Sequence, residues 1–474
     1  MSRFLIISVL SLCIGTFAQA QSSAEKKVRK KRSIVPKIQI SSQATQQEID
    51  ELIRIERDNY LKALESGRSL RTLFQHQANI QWLENQKRPT SSTASAASGS
   101  GFFYKGHFQY RLDSAKNLQG IQNTDVHENS WLRLRTELTY QAHPRLKFQL
   151  TPQAVKTFGG DDADGNQTSG SLNHDTIEFF AANVQYNIIE PLTFTLGRQD
   201  LAYADETIIG RRNWTAPGQS FDLAKLRYEY NRGWTDFFLS KISNNGTATG
   251  GDDADFWVLY NSFHWNRYLK VIDLYAISLD DDRPGLPTVN TLGLLLKGSA
   301  SRVFYRLEAN FQQGRDLGDD GNSIHGEVGY KAQRWKSSVE YGNAGKDYRQ
   351  LFPSVHRFFG IADVLGRRNI NHLAWHGKVG LFSWLGLSMD YFQFERNSTD
   401  DGAYQLVGQT SLGNNGNSKD IGQELDLIVK FKLPGRVSLV VGGALFMPGQ
   451  YMKDQNGGNA DDTQFVYTQL IAPF

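Results

Sequence analysis

The sequence predicts an all-β fold: a transmembrane antiparallel up-and-down β-barrel of about 18 strands, preceded by an N-terminal helical periplasmic extension. Three observations predict it. The composition is polar on average yet rich in glycine and aromatics, with 43 Gly, 28 Phe, 19 Tyr and 9 Trp against 12 Pro and 4 Met among 474 residues. Apolar and polar residues alternate in one segment after another. The connections between those segments alternate between short and long. A mean hydropathy of −0.46 leaves no run, beyond the N-terminus, of the roughly 20 apolar residues that a transmembrane helix needs. A membrane barrel shows lipid with one face of each strand and water with the other, which fits such an average.

The N-terminus reads as a secretory signal, residues 1–20. Arg3 supplies the positive start, Phe4 to Phe17 the apolar core, and Ala18-Gln19-Ala20 a small-residue cleavage site. Cleavage there removes Cys13, the single cysteine, so the mature chain has neither disulfide nor thiol chemistry. Residues 21–101 form an extension. A basic tract, Lys26-Lys27-Val28-Arg29-Lys30-Lys31-Arg32, suits an anionic membrane surface, an acidic polymer or, most simply, a solvated tail. Residues of about 44 to 88 are expected as helix, with Ile49, Leu52, Ile53, Tyr60, Leu61 and Leu64 at mixed spacings of three and four. TSSTASAASGSG, residues 90–101, is a flexible linker. Fifteen Lys and Arg and eight Asp and Glu precede residue 102, so the barrel itself carries about 37 basic and 41 acidic residues. The overall charge of +3 therefore comes from the extension and says nothing about a cationic pore.

The barrel is expected over 102–474. Strands are predicted to begin near Phe102, Trp131, Arg145, His174, Pro191, Phe221, Gly233, Asp255 and Arg267. Nine more begin near Val289, Ser301, Asn322, Trp335, Ile370, Trp384, Asp420, Gly435 and Asp462. Short turns around His143-Pro144, Asn231-Arg232, Asn266, Ala300, Ser383 and Pro434-Gly435 alternate with long polar loops, as in outer-membrane barrels. The terminal Phe474 fits a last barrel strand, although Pro473 interrupts its alternation.

Alternation assigns faces. In WLRLRTELTY, Leu132, Leu134, Leu138 and Tyr140 oppose Arg133, Arg135, Glu137 and Thr139. Leu226, Tyr228 and Tyr230 oppose Lys225, Arg227 and Glu229. Val303, Tyr305, Leu307 and Phe311 oppose Arg306, Glu308 and Asn310. Leu425, Leu427, Val429 and Phe431 oppose Glu424, Asp426 and Lys430. A lipid-facing Arg or Lys costs about 2–4 kcal/mol at the bilayer midplane, so the charges are expected to face a water-filled lumen. Lys331 and Lys378 join that set. A ring of Arg and Lys selects anions and a ring of acids selects cations; Arg also binds carboxylates bidentately. The acids Glu137, Glu229, Glu308 and Asp426 share the lumen, and the plainer expectation is that they pair with the cations and merely order the wall.

Three blocks resemble the alginate export family of outer-membrane porins. The first is TLGRQDLAYADETIIGRRNWTAPGQSFDLAKLRY, residues 195 to 228. The second is LFPSVHRFFGIADVLGRRN, 351 to 369. The third is GQELDLIVKFKLPGRVSLVVGGALFMPGQY, 422 to 451. The resemblance spans nearly all of 102–474. It implies an 18-stranded monomeric barrel with an electropositive constriction that passes an anionic polysaccharide outward. Arg198, Arg211 and Arg212, in the first block, are expected on a loop that folds inward. The basic and helical extension departs from the family pattern; the readings open for it are a plug, a gate, a segment that recruits a periplasmic partner, or a disordered tail.

The acidic stretches GDDADG, 160 to 165, and GDDAD, 251 to 255, nearly repeat. Dense carboxylates with glycine suit calcium, and Asp161, Asp162, Asp164, Asp252, Asp253 and Asp255 are its candidate ligands. Neither stretch has full EF-hand spacing, and a solvated acidic loop is the better reading. No HExxH, GxSxG or Walker pattern is present, so no enzymatic activity is expected. His372 and His376 share a strand face about 13 Å apart, at a rise of roughly 3.3 Å per residue, which is too far for one metal. The expected function is a passive outer-membrane channel for an anionic solute, an acidic polysaccharide or oligosaccharide first, needing no cofactor. A small-anion or nutrient-uptake porin and a structural or adhesive barrel with an occluded lumen are the alternatives. The expected surroundings are outer-membrane lipid and lipopolysaccharide of a Gram-negative-type cell, with no nucleic acid.

Overall fold

A computed structural model of the chain describes residues 51–56, 58, 101–117, 126–158, 176–243, 253–281, 288–354, 356, 358–405 and 410–474. The chain divides into two compact units, Met1–Ala97 and Ser98–Phe474. In the first, residues 51–56 are helical. The expected signal, the basic tract and linker residues 90–100 lie outside the described residues.

The second unit is a closed barrel of eighteen strands. They are β1 (Gly101–Lys116), β2 (Val126–His143), β3 (Leu146–Phe158), β4 (Thr176–Ile189), β5 (Leu192–Gln199) and β6 (Phe221–Tyr230). Then come β7 (Gly233–Ser243), β8 (Asp253–Phe263), β9 (Leu269–Asp281), β10 (Val289–Ala300), β11 (Val303–Gln313) and β12 (Asn322–Lys331). The last six are β13 (Trp335–Ala344), β14 (Ile370–Gly380), β15 (Leu385–Arg396), β16 (Asp420–Lys432), β17 (Ser438–Pro448) and β18 (Thr463–Pro473). Each pairs antiparallel with its sequence neighbours, and β1 pairs with β18 from His107↔Pro473 to Lys116↔Gln464. Closure leaves no sheet edge, which is the condition for strands to cross a bilayer. Among the described residues, no helix is long and apolar enough to cross one.

Gly106 and Phe474 exchange two backbone hydrogen bonds of 2.9 Å at the seam. Pro473, the next residue inward, therefore turns its nitrogen toward β17, which begins only at Ser438 opposite Ile471. No ladder donor is missing there, so the proline ends the strand without breaking it.

Outside the barrel stand Leu134, Leu150, Leu226, Leu259, Leu307 and Leu427, all exposed. Near the short turns, Tyr140, Tyr186, Trp265, Trp335, Phe382 and Trp384 are exposed in the manner of an interfacial aromatic girdle. The inside is not uniformly polar. On β7 to β10 the inward positions include Phe238, Phe256, Val258, Tyr260, Tyr275, Ile277 and Leu295, all buried. These strands are apolar on both faces. That corrects the expectation of a wholly wet lumen, because this wall packs against chain inside the barrel.

Candidate functional site

Two long loops fold into the lumen. The first, residues 200–220 between β5 and β6, lays Leu201, Tyr203, Ala204, Ile208 and Ile209 on the apolar wall of β6 to β10. Polar bonds fix its tip. Tyr203 donates to Asp236 at 2.6 Å, Thr207 donates to Glu308 at 2.7 Å, and the Ala204 amide donates to the Tyr260 hydroxyl at 3.0 Å. Ala204, Asp205 and Glu206 all adopt left-handed φ, 50°, 56° and 68°, a strained backbone that persists only when its surroundings hold it. Asp205 is held by Lys297 at 2.5 Å and Arg306 at 3.1 Å. Burial pushes its carboxyl up, but these two cations outweigh it and it titrates below the usual Asp range.

The second loop, residues 345–369 between β13 and β14, packs Phe358, Phe359, Ile361, Ala362, Val364 and Leu365 against β14 to β18. Two wall carboxylates on β16 grip it. Asp426 accepts the Ile361 amide at 3.1 Å and Glu424 accepts the Ala362 amide at 2.9 Å. Gly360 sits at φ 85°, and a Cβ there would run into the Glu424 carboxylate. The loops also bind each other. Gly210 donates to Phe352 at 2.8 Å, and Phe352 donates to Ile208 at 2.9 Å. Trp214 stacks on His356, and both reach Asp363, at 2.9 and 3.1 Å. Burial keeps the His356 imidazole below its usual pKa despite the Asp363 partner.

An open space lies beside the second half of the first loop, against β1 to β3 and β18. A cavity of about 840 Å³ is lined there by Lys105, Arg133, Arg135, Arg211 and Arg436, with Glu137 and Asp200 as its acids. Among its lining side chains, cationic groups outnumber acidic ones. Lys105 pairs with Glu137 at 3.1 Å and Arg211 with Asp200 at 2.8 Å. Arg133 and Arg135 have no carboxylate partner among the described residues. Arg133 donates to the carbonyls of Asn213, Thr215 and Ala216 and to Gln109. Arg135 donates to Gln153, Asn213 and Pro217 and lies over Phe180. They pin the loop by neutral acceptors and stand outside any ion pair, with Asp200 and Glu178 as the nearest carboxylates acting on Arg135.

The other predicted lining residues distribute as follows. Lys225, Arg227, Glu229, Arg306, Lys331, Lys378 and Lys430 share the inward parity of their strands. Arg227 makes two bonds to buried Asp236, at 2.6 and 2.7 Å, and lies over Trp234. Arg306 and Glu308 form a buried pair, with Arg367 3.7 Å from Glu308. For these cations the wall-ordering role applies. Lys331, Lys336 and Lys378 stand side by side in register near the short-turn mouth. Like charges directly opposite are destabilising, and the middle lysine, Lys336, is relieved by its ion pair with Glu327 at 3.1 Å. Arg212 is half-buried between the loops, its amide on Ser354 and its Nε on Pro353.

Two placements need correction. Arg198 is not on the inward loop: β5 runs on to Gln199, and Arg198 shares the outward parity of Leu196, paired with exposed Asp222 at 2.9 Å. Asp255 is not a loop ligand either: it lies on β8 opposite Lys241, its ion-pair partner at 3.6 Å. Asp161, Asp162, Asp164 and Asp252, and the side chain of Asp253, fall outside the described residues. His372 and His376 stand on one strand face, and their imidazoles reach different oxygens of Glu340 on the neighbouring strand, with Nε2 at 2.9 Å from Oε1 and 3.4 Å from Oε2.

The inward loops coincide with the first and second sequence blocks, and the carboxylates that grip the second loop belong to the third. The alginate export family model matches residues 104–466. The chain belongs to the alginate export family. Solved structures of the same architecture are outer-membrane porins. The outer membrane protein OpdK of Pseudomonas aeruginosa aligns with a TM-score of 0.56 at 10% identity, over 79% of this chain and 100% of that one. OccAB1 of Acinetobacter baumannii aligns with 0.56 at 12%, over 80% and 99%. P. aeruginosa OccK8 (OprE) aligns with 0.55 at 10%, over 79% and 98%. No curated protein matches. As a member of the alginate export family with a closed 18-stranded barrel, the chain is an outer-membrane channel protein.

Proposed function

We propose that this alginate-export-family channel passes an anionic solute, an acidic polysaccharide or oligosaccharide first, passively and without a cofactor. The observation that carries the proposal is the off-centre cavity whose lining has more cationic than acidic side chains, Arg133 and Arg135 among them outside any ion pair. Guanidinium groups in fixed positions bind carboxylates bidentately, and cations lining a narrow path exclude other cations. Lys331 and Lys378, on either side of the Lys336–Glu327 pair, extend the positive field toward the mouth. The inward loops favour a second reading, a porin for small anions, because they leave a narrow side path rather than a wide bore.

Channel block separates the two. The full chain in planar bilayers is exposed to oligouronates of increasing length. A polysaccharide path gives block that deepens with chain length and weakens in Arg133→Gln/Arg135→Gln. A small-anion path gives current carried by monomeric carboxylates with no length dependence. Block by neutral oligosaccharides as strong as by uronates would remove both.

A further inference from the structure

On the lumen wall away from the cavity, three neighbouring strands present a set of side chains that the channel function does not use. His325 of β12 and His372 of β14 flank Gly342 of β13 in register. Gly342 leaves the space between them open: a Cβ there would collide with the His372 ring. One level nearer the short turns, Glu340 of β13 lies beside Ala374. Both imidazoles lean toward the gap and meet the same carboxylate oxygen. His325 Nε2 is 2.7 Å and His372 Nε2 is 2.9 Å from Glu340 Oε1. All three ligand atoms lie within 4.8 Å of one another, and all three side chains are buried.

We propose that His325, His372 and Glu340 bind a divalent transition metal ion of the zinc class. Two imidazole nitrogens and one carboxylate are a zinc ligand set that keeps a fourth position open, in which bonds of about 2.0–2.2 Å place the ligand atoms roughly 3.3 Å apart. Small side-chain rotations therefore suffice. Two features go beyond a plain hydrogen-bonded cluster. His325 Nε2 faces Glu340 but is not aligned for a hydrogen bond. The second oxygen of Glu340 faces His376 Nε2 at 3.4 Å, while His376 Nδ1 is held by Asp390 at 2.7 Å. Such outer partners orient ligating groups in metal sites. Arg306 contacts His325 Nδ1, and that contact must open for Nε2 to bind an ion; Arg306 keeps Asp205 and Glu308 when it does. Phe358 and Phe359 of the second inward loop cover His325 and His372, with ring centroids at 5.9 and 4.9 Å. The ion would sit between wall and loop.

The test uses the full chain in detergent, stripped with a chelator and titrated with Co²⁺ and then Zn²⁺. The expected result is one Co²⁺ per chain with the intense visible absorption of a four-coordinate N/O site, displaced by one equivalent of Zn²⁺. Glu340→Gln and His372→Gln should each weaken binding by about a hundredfold, and Asp390→Asn by about tenfold. Heat-modifiable migration on gels confirms that each variant is a folded barrel; His325→Gln replaces any variant that is not. Absence of stoichiometric binding by the wild type overturns the proposal. So does binding that survives both His372→Gln and His325→Gln, which would place the ion on the acidic loops instead.

Discussion

At the scale of single residues, what matters is whether a lumen cation has a carboxylate. Arg227 does, and its partner Asp236 is fully buried. Removing one member of a buried pair strands the other charge, at a cost of about 3–5 kcal/mol. Arg227→Met is therefore expected to lower barrel stability by about 3 kcal/mol, the lower end, because Tyr203 still donates to Asp236. Urea unfolding in detergent measures it, and a change within experimental error would contradict the pairing. Arg133 and Arg135 have loop carbonyls in place of acids, so their neutral variants should alter ion selectivity more than stability. Arg198→Gln is the matched control: facing outward with Asp222, it should leave selectivity unchanged. Alternation was enough to put Arg133, Arg135, Lys225, Arg227 and Arg306 on the inner face. It could not tell which would be neutralised, because Asp236, Asp205 and Asp200 come from other strands and loops.

At the scale of elements, strand positions were legible and loop paths were not. Most of the connections follow from composition, since each short turn and long polar stretch bounds a strand whose pattern repeats every second residue. Grouping with Arg211 and Arg212 of its sequence block misplaced Arg198, which belongs to β5 and pairs with Asp222 on β6. The inward course of 200–220 and 345–369 left a trace that was readable in principle. Strands β7 to β10 are apolar on both faces, as in FFLSKI and FWVLY, and a barrel wall needs that only where something packs inside it. The second loop depends on Gly360. Gly360→Val meets both the left-handed φ and the Glu424 carboxylate, so it should release the loop at a cost of about 1–3 kcal/mol of local strain and raise single-channel conductance. Unchanged conductance would show that the loop does not narrow the path.

Acid should loosen the first loop and its contact with the second. Asp205 titrates below its usual range and His356 below its own. For both groups the folded state binds fewer protons than the unfolded chain. Their contribution is present above the unfolded pKa values, 6.5 for His and 3.8 for Asp, and is lost as pH falls. The His356 part begins to fade below about pH 6.5, and the Asp205 part only in stronger acid. Conductance recorded from pH 7.5 downward should rise in that order. His356→Phe, which keeps the stack on Trp214 without a titrating group, should remove the first step.

For the whole molecule, the three sequence blocks that mark the alginate export family build one device. The first and second blocks are the loops that enter the barrel, and the third carries the Glu424 and Asp426 clamp. Together they pack on the side of the lumen where the wall is apolar. A barrel of this strand number is wide enough for an aqueous channel, and the cavity beside the first loop is lined by more cationic than acidic side chains. The barrel as a whole carries slightly more acids than bases, so selectivity has to come from where the charges stand and not from how many there are. The most direct measurement is the reversal potential of the full chain in a planar bilayer under a potassium chloride gradient. The account predicts anion selectivity that collapses in Arg133→Gln/Arg135→Gln. Cation selectivity in the wild type, or a barrel that carries no current, would contradict it.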